Sequence, residues 1–214
     1  MSPEADGGAR GYAPCPPRDV CKILPFGDSI TSGHGYEGGY RIELFRRAVA
    51  AGKWITFLGS QRNGPAIVAD TSFPQDHEGH PGFRIDQLRM PDLEPPHIVL
   101  LMAGTNDIGQ AYDLPHAPER LGELLDHLTA AAPDALVVVA RLPPLETYRR
   151  EVAAYNAALS ELIDVRVEAG KHIQLVDMFA DFPDTELADG VHPTAAGYER
   201  MANIWFEAIR ASLR

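Results

Sequence analysis

The sequence has little that would attach it to nucleic acid or to a bilayer. Its 19 lysines and arginines are scattered among 30 aspartates and glutamates, giving a formal net charge of -11 at pH 7. Without a basic cluster such a chain repels a phosphate backbone, which argues against a nucleic-acid partner. It has no run of ~20 apolar residues that would cross a membrane. The first ten residues, Met-Ser-Pro-Glu-Ala-Asp-Gly-Gly-Ala-Arg, do not have the basic-then-apolar order of a signal peptide, so as written the chain is expected in the cytoplasm. Cysteine is scarce as well, with only Cys15 and Cys21. A pair alone does not establish an oxidising compartment: two free thiols fit a cytoplasmic chain, and a disulfide fits a secreted one from which a leader was removed.

What is present is enough for one sizeable core, since 214 residues fall within the range of a single α/β domain. Residues 1–20, rich in Gly, Pro and Ala, are expected to form a flexible N-terminal arm, and residues 21–214 the domain. Five short apolar runs recur at Lys22–Phe26, Trp54–Gly59, His97–Met102, Leu136–Ala140 and Ile173–Asp177. None alternates with polar residues, as expected of strands buried on both faces of a parallel sheet. Helical spacing fills the intervals at Tyr40–Ala51, Ala117–Ala132, Tyr148–Ala169 and Ala195–Leu213. This alternation predicts a doubly wound, flavodoxin-like α/β fold: a five-stranded parallel sheet with helices on both faces and its ligand site at the carboxyl ends of the strands.

Two features compete in the loop after the first run. Gly33, Gly35 and Gly38 spell G-x-G-x-x-G, but Gly33 comes seven residues after Phe26, too late for the tight turn of a dinucleotide site. Ser29 lies two residues past Gly27, where a hydroxyl emerges at the carboxyl edge of the sheet. Taken alone it reads more readily as a helix N-cap. Partners decide the matter, because a serine nucleophile needs a base and a group to orient that base. The stretch "DGVHPT" supplies both: Asp189 three residues before His192 lets the carboxylate hold Nδ1 while Nε2 faces outward. Asn106, directly after the third run, and Gly82 are candidate donors to an oxyanion. Asp76, His77, Glu78 and His80 also cluster, but their spacing matches no standard zinc motif, and neither a metal nor another cofactor is expected.

With these residues in order, the chain resembles the SGNH hydrolases of the GDSL superfamily. Their four blocks correspond here to Gly27-Asp28-Ser29, Gly82, Gly104-Thr105-Asn106-Asp107 and Asp189-x-x-His192. The resemblance implies Ser29 as nucleophile, His192 and Asp189 completing a triad, and an oxyanion hole from the Ser29 and Gly82 N–H groups with the Asn106 side chain. The stretches "GDSIT", "GGYR", "DHEGHPGFRI" and "DGVHPTAAGYERM" most resemble carbohydrate esterase family three, whose members deacetylate xylan. The expected protein is therefore a cofactor-free, monomeric serine esterase acting on small-molecule or carbohydrate acetyl esters. The alternatives are a lipase-like or lysophospholipase-like esterase, a deacylase of a small metabolite, or a glycan-binding module without turnover.

Overall fold

The computed structural model describes residues 12–214. All five apolar runs form strands. In chain order the strands are β1 (Cys21–Gly27), β2 (Ile55–Phe57), β3 (Gln61–Arg62), β4 (Ile67–Val68), β5 (Thr71–Ser72), β6 (Asp76–Gly79), β7 (Ile98–Met102), β8 (Leu136–Arg141) and β9 (Ile173–Asp177). The helices are α1 (Ser29–Ser32), α2 (Tyr40–Ala50), α3 (Thr105–Gly109), α4 (Ala117–Ala131), α5 (Arg149–Glu168) and α6 (Ala195–Ile209).

The five long-range strands pair in parallel in the order β2-β1-β7-β8-β9. The chain thus moves one way from β1 to β2 and the other way from β7 through β9. Right-handed crossovers then place α2 on one face and α4 and α5 on the other, so both faces are covered. Accordingly α2 packs against α6, and α4 against α5. Between them the strands are almost wholly apolar: Ile23, Leu24 and Phe26 of β1, all of β7, and Val137–Val139 of β8 are buried. The direction reverses between β1 and β7, and the crevice outside their carboxyl ends is where such a sheet binds its ligand.

The segment between β2 and β7 adds detail absent from the five-run pattern. The amino half of β1 pairs with β2, but the same edge is handed to β6 at Phe26 and Gly27, opposite Glu78 and Gly79. Short β3 pairs antiparallel with β6, and β4 with β5 in a separate hairpin. β6 therefore delivers the loop after Gly79 to the crevice. Of the expected arm, residues 1–11 lie outside the described residues. Residues 12–20 lie along the domain: Tyr12 stacks on His172 at 3.6 Å and donates to the Asp134 carbonyl, and Cys15 is disulfide-bonded to Cys21 at the start of β1.

Candidate active site

β1 ends at Gly27, where only glycine fits: a Cβ would lie 2.1 Å from the Met102 carbonyl oxygen on the neighbouring strand. The chain then turns into α1. Asp28 is its N-cap, its Oδ1 accepting the Ile30 N–H at 2.9 Å. Ser29 follows as the first helical residue, and three donors hold its carbonyl: the Gly33 and His34 N–H groups at 3.0 and 2.9 Å and the Ser32 hydroxyl at 2.9 Å. The far end of α1 is clamped from below. Asn63 Nδ2 and the buried Arg41 both donate to the Ser32 carbonyl, at 2.8 and 3.4 Å. Burial lowers the Arg41 guanidinium to about 10, and it is held by carbonyl and amide oxygens of Ser32, Gln75 and Asn63 with no carboxylate among its hydrogen-bond partners.

Across the crevice, the loop before α6 brings in the other two members of the relay. His192 Nε2 lies 2.9 Å from Ser29 Oγ, and His192 Nδ1 lies 2.7 Å from Asp189 Oδ2. Asp189 Oδ1 accepts the Val191 and His192 N–H groups at 3.0 and 2.7 Å. Burial alone would raise the Asp189 pKa, but these bonds and the nearby imidazole outweigh it and hold the carboxyl at about 2. The turn is closed by Ala188 N–H to the His192 carbonyl at 2.7 Å, and Thr194 caps α6 by accepting the Gly197 N–H.

The third corner is the loop after β6. His80, Pro81, Gly82 and Phe83 form a turn closed by Phe83 N–H to the His80 carbonyl at 3.1 Å, with Gly82 at φ +82° in the left-handed region. Residues at and after β7 bind this loop side by side: Asn106 Nδ2 donates to the Phe83 carbonyl at 2.8 Å, Gln110 to that of Gly82 at 3.2 Å, and Asp107 Oδ2 accepts the Ile85 N–H at 2.9 Å. Asp107 is fully buried and pairs through its other oxygen with Arg120 at 2.8 Å. The structure thus brings Ser29, His192 and Asp189 into one hydrogen-bonded line, and ties Asn106 to Phe83, the residue that follows Gly82.

Residues 26–200 match the GDSL-like lipase/acylhydrolase family. The chain belongs to that family. It is a carboxylic ester hydrolase on an SGNH hydrolase fold. A solved family 3 carbohydrate esterase from Clostridium thermocellum is 31% identical, with a TM-score of 0.75 over 88% of this chain and 94% of that one. A second family 3 carbohydrate esterase structure, from Talaromyces cellulolyticus, is 24% identical with a TM-score of 0.79 over 89% of this chain and 97% of the other, a likeness of fold. A "Multidomain esterase" from Ruminococcus flavefaciens is 29% identical over 90% of this chain, which spans 29% of that protein's length.

Several neighbours of this GDSL-family site escaped the reading of the sequence. The ring of His34 lies 4.2 Å from that of His192, and the His34 carbonyl accepts from the Tyr198 hydroxyl of α6. Glu78 is buried and accepts from the Ser60 N–H and hydroxyl, at 2.7 and 3.0 Å, while holding His80 Nε2 at 2.5 Å. His80 in turn stacks on Phe83 at 4.8 Å, so this chain of contacts steadies the Gly82 turn from outside. The alternation of His and Glu in "DHEGH" is the available signal, whose spacing argues against a metal and for a polar loop shaping the mouth of the site. Hydrogen bonds divide it: burial lowers the His77 pKa to about 3, helped by Arg41 and His80, and His77 Nδ1 accepts the Gly79 N–H. Among the described residues, the one group of three potential metal ligands is His34, Asp189 and His192, their ligand atoms within 4.8 Å of one another. Two of those three are already joined in the line to Ser29. Two glycines of the competing dinucleotide motif are packing positions, since a Cβ on Gly33 would meet the Gly39 nitrogen at 2.5 Å and one on Gly38 the Ile42 side chain at 2.8 Å, and α1 intervenes between the motif and β1.

Proposed function

We propose that this esterase removes short acyl groups, acetyl above all, from carbohydrate hydroxyls through a Ser29, His192 and Asp189 triad. The observation that carries the reading is the continuous line from Asp189 Oδ2 through the imidazole to Ser29 Oγ, with donor–acceptor distances of 2.7 and 2.9 Å. As Ser29 Oγ attacks the ester carbon, its proton passes to His192 Nε2, and Asp189 holds the Nδ1 proton and stabilises the imidazolium. Negative charge grows on the former carbonyl oxygen. The N–H of Ser29, which the ladder of α1 leaves unused, the Gly82 N–H and the second hydrogen of the Asn106 amide are the donors assigned to it. Collapse expels the sugar alcohol, which takes the proton from His192. Water activated by the same imidazole then frees the carboxylic acid and restores Ser29.

Carbohydrate as the acyl carrier is supported by the similarity to a family 3 carbohydrate esterase and by the rim of the site. The rim carries His34, His80 and the partly exposed rings of Tyr36, Phe83 and Tyr112, side chains that hydrogen-bond or stack on sugars. The Cys15–Cys21 disulfide supports an oxidising compartment for the folded protein.

A matched series of nitrophenyl esters tests the reading. We expect kcat/KM to fall steeply from acetyl to octanoyl, with acetate released from acetylated xylan. Ser29→Ala should abolish turnover, and Asn106→Ala should lower kcat on the order of 100- to 1,000-fold. A maximum at eight carbons or more would replace the carbohydrate reading with a lipase-like one. A loss under threefold in the Asn106 variant would remove that amide from the oxyanion site.

A further inference from the structure

Trp54 stands just before β2, at the amino edge of the sheet, and is 71% exposed, whereas the other tryptophan, Trp205, is fully buried. Its carbonyl accepts the Cys21 N–H at 2.8 Å, so the backbone is fixed while the indole projects. Two cavities adjoin this ring. The larger, about 610 Å³, lies between the end of α2 and the β4–β5 hairpin. Phe45 and Val49 give it an apolar side, and Lys53, Thr56, Thr71 and Ser72 line it with donors and acceptors. The smaller, about 330 Å³, has Arg18, Asp19 and Arg214 in its wall. Among the described residues none of Lys53, Arg18 and Arg214 is ion-paired, and Asp19 turns an oxygen to the Val20 N–H at 2.7 Å. Three cationic side chains and one carboxylate thus surround an exposed aromatic face on a chain whose net charge is -11.

An exposed indole offers a flat apolar face to the C–H side of a pyranose ring, and flanking ammonium and guanidinium groups take hydroxyls and carboxylates. We infer that the Trp54 face is a second binding site, for a segment of a uronate-bearing polysaccharide chain, separate from the ester-cleaving crevice. The inference rests on the carbohydrate reading above for its choice of ligand. Trp54 lies beside the start of β1 and Ser29 beyond its end, and seven residues at ~3.3 Å each put the two sites roughly 20 Å apart. A polymer held at one edge raises the local concentration of its acetyl groups at the other without touching the chemistry.

The test uses the whole chain carrying Ser29→Ala, so that binding is read without turnover. In gels containing glucuronoxylan this protein should be retarded in electrophoresis, while the Ser29→Ala/Trp54→Ala protein should migrate as it does without polysaccharide. Adding Arg18→Gln and Lys53→Gln instead should weaken retention at least threefold, and neutral arabinoxylan should retard the protein less than glucuronoxylan. In the active background, Trp54→Ala should leave kcat/KM for nitrophenyl acetate unchanged and lower it for acetylated glucuronoxylan roughly three- to tenfold. Absence of retardation, equal retardation without Trp54, or equal activity of the Trp54 variant on the polymer would overturn the site. Equal retention by the neutral polymer would overturn its preference for carboxylates. Retardation needs no acetate release, so a protein that is retained by glucuronoxylan yet deacetylates no sugar would sink the proposed function and leave this site standing.

Discussion

Asp189 accepts three hydrogen bonds from its own turn, two from backbone N–H groups and one from the imidazole it orients. That arrangement makes Asp189→Asn a sharp probe. The two N–H groups demand an acceptor at the Oδ1 position, so the amide NH2 must face His192 Nδ1, which leaves the proton on Nε2 and the base unable to accept from Ser29. We expect kcat to fall about 10³- to 10⁴-fold with the fold intact, read by nitrophenyl acetate turnover and circular dichroism. Because the Asp189 carboxyl is held at about 2, its own protonation should not be what removes wild-type activity on mild acidification. Asp28 behaves in the opposite way. Burial pushes its carboxyl up from 3.8 to about 6, the Ile30 N–H only partly offsetting it, and among the described residues its Oδ2 has no hydrogen-bond partner. A carboxyl whose folded pKa is raised binds more protons when folded, so it costs stability progressively as pH climbs from about 4 through 6. Asp28→Asn keeps the acceptor for Ile30 and removes the charge. Its stability relative to wild type, from urea unfolding at pH 4 and pH 7, should therefore improve by about 2 to 3 kcal/mol on going to the higher pH.

At the scale of elements, the site depends on the short helix α3 holding the loop after β6. Asp107 is the joint: it accepts from Ile85 and from the Arg120 guanidinium while fully buried. Asp107→Ala would leave the Ile85 N–H unpaired and Arg120 with only the more distant Asp113 carboxylate, at 3.7 Å, and two carbonyls, at a cost of about 3 kcal/mol in urea unfolding. It should also lower kcat through the loosened Gly82 turn, and Asp107→Asn, which can still accept from Ile85, should lose less of both. The long elements were legible for a simple reason. Strands β1, β7 and β8 are buried on both faces and must be continuously apolar, and α4 and α6 carry an apolar stripe toward the sheet. By contrast β3, β4 and β5 are two residues each and mostly exposed, so no pattern marks them. The same holds for β6, whose Asp-His-Glu-Gly reads as a polar loop and is a strand only because the free edge of β1 at Phe26 and Gly27 receives it.

At the scale of the whole molecule, the segment before β1 is tied down at Cys15, at Tyr12 against His172, and at the Tyr12 carbonyl, which accepts from Ser212. Replacing both cysteines by serine should cost about 2 kcal/mol, the entropy of closing so small a loop in the unfolded chain, and should leave turnover of nitrophenyl acetate unchanged. A change in that activity would show that the segment communicates with the site. The sequence by itself determined the alternation of strand and helix, the parallel sheet, and the residues whose order matches the family: Gly27-Asp28-Ser29, Gly82, Asn106, and Asp189 with His192. Those follow from local burial and from spacings within a few residues, which a linear chain displays directly. Only the tertiary structure decided that Ser29 and His192, 163 residues apart, meet at 2.9 Å, that Cys15 and Cys21 are bonded, and that Glu78 of "DHEGH" bonds Ser60 and His80. The first depends on how the loop before α6 returns to the switch point, a contact between partners so distant in the chain that no local pattern records it. The cysteines are only six residues apart and the bonds within "DHEGH" only two, so there the surrounding fold chooses among local alternatives that the sequence leaves open.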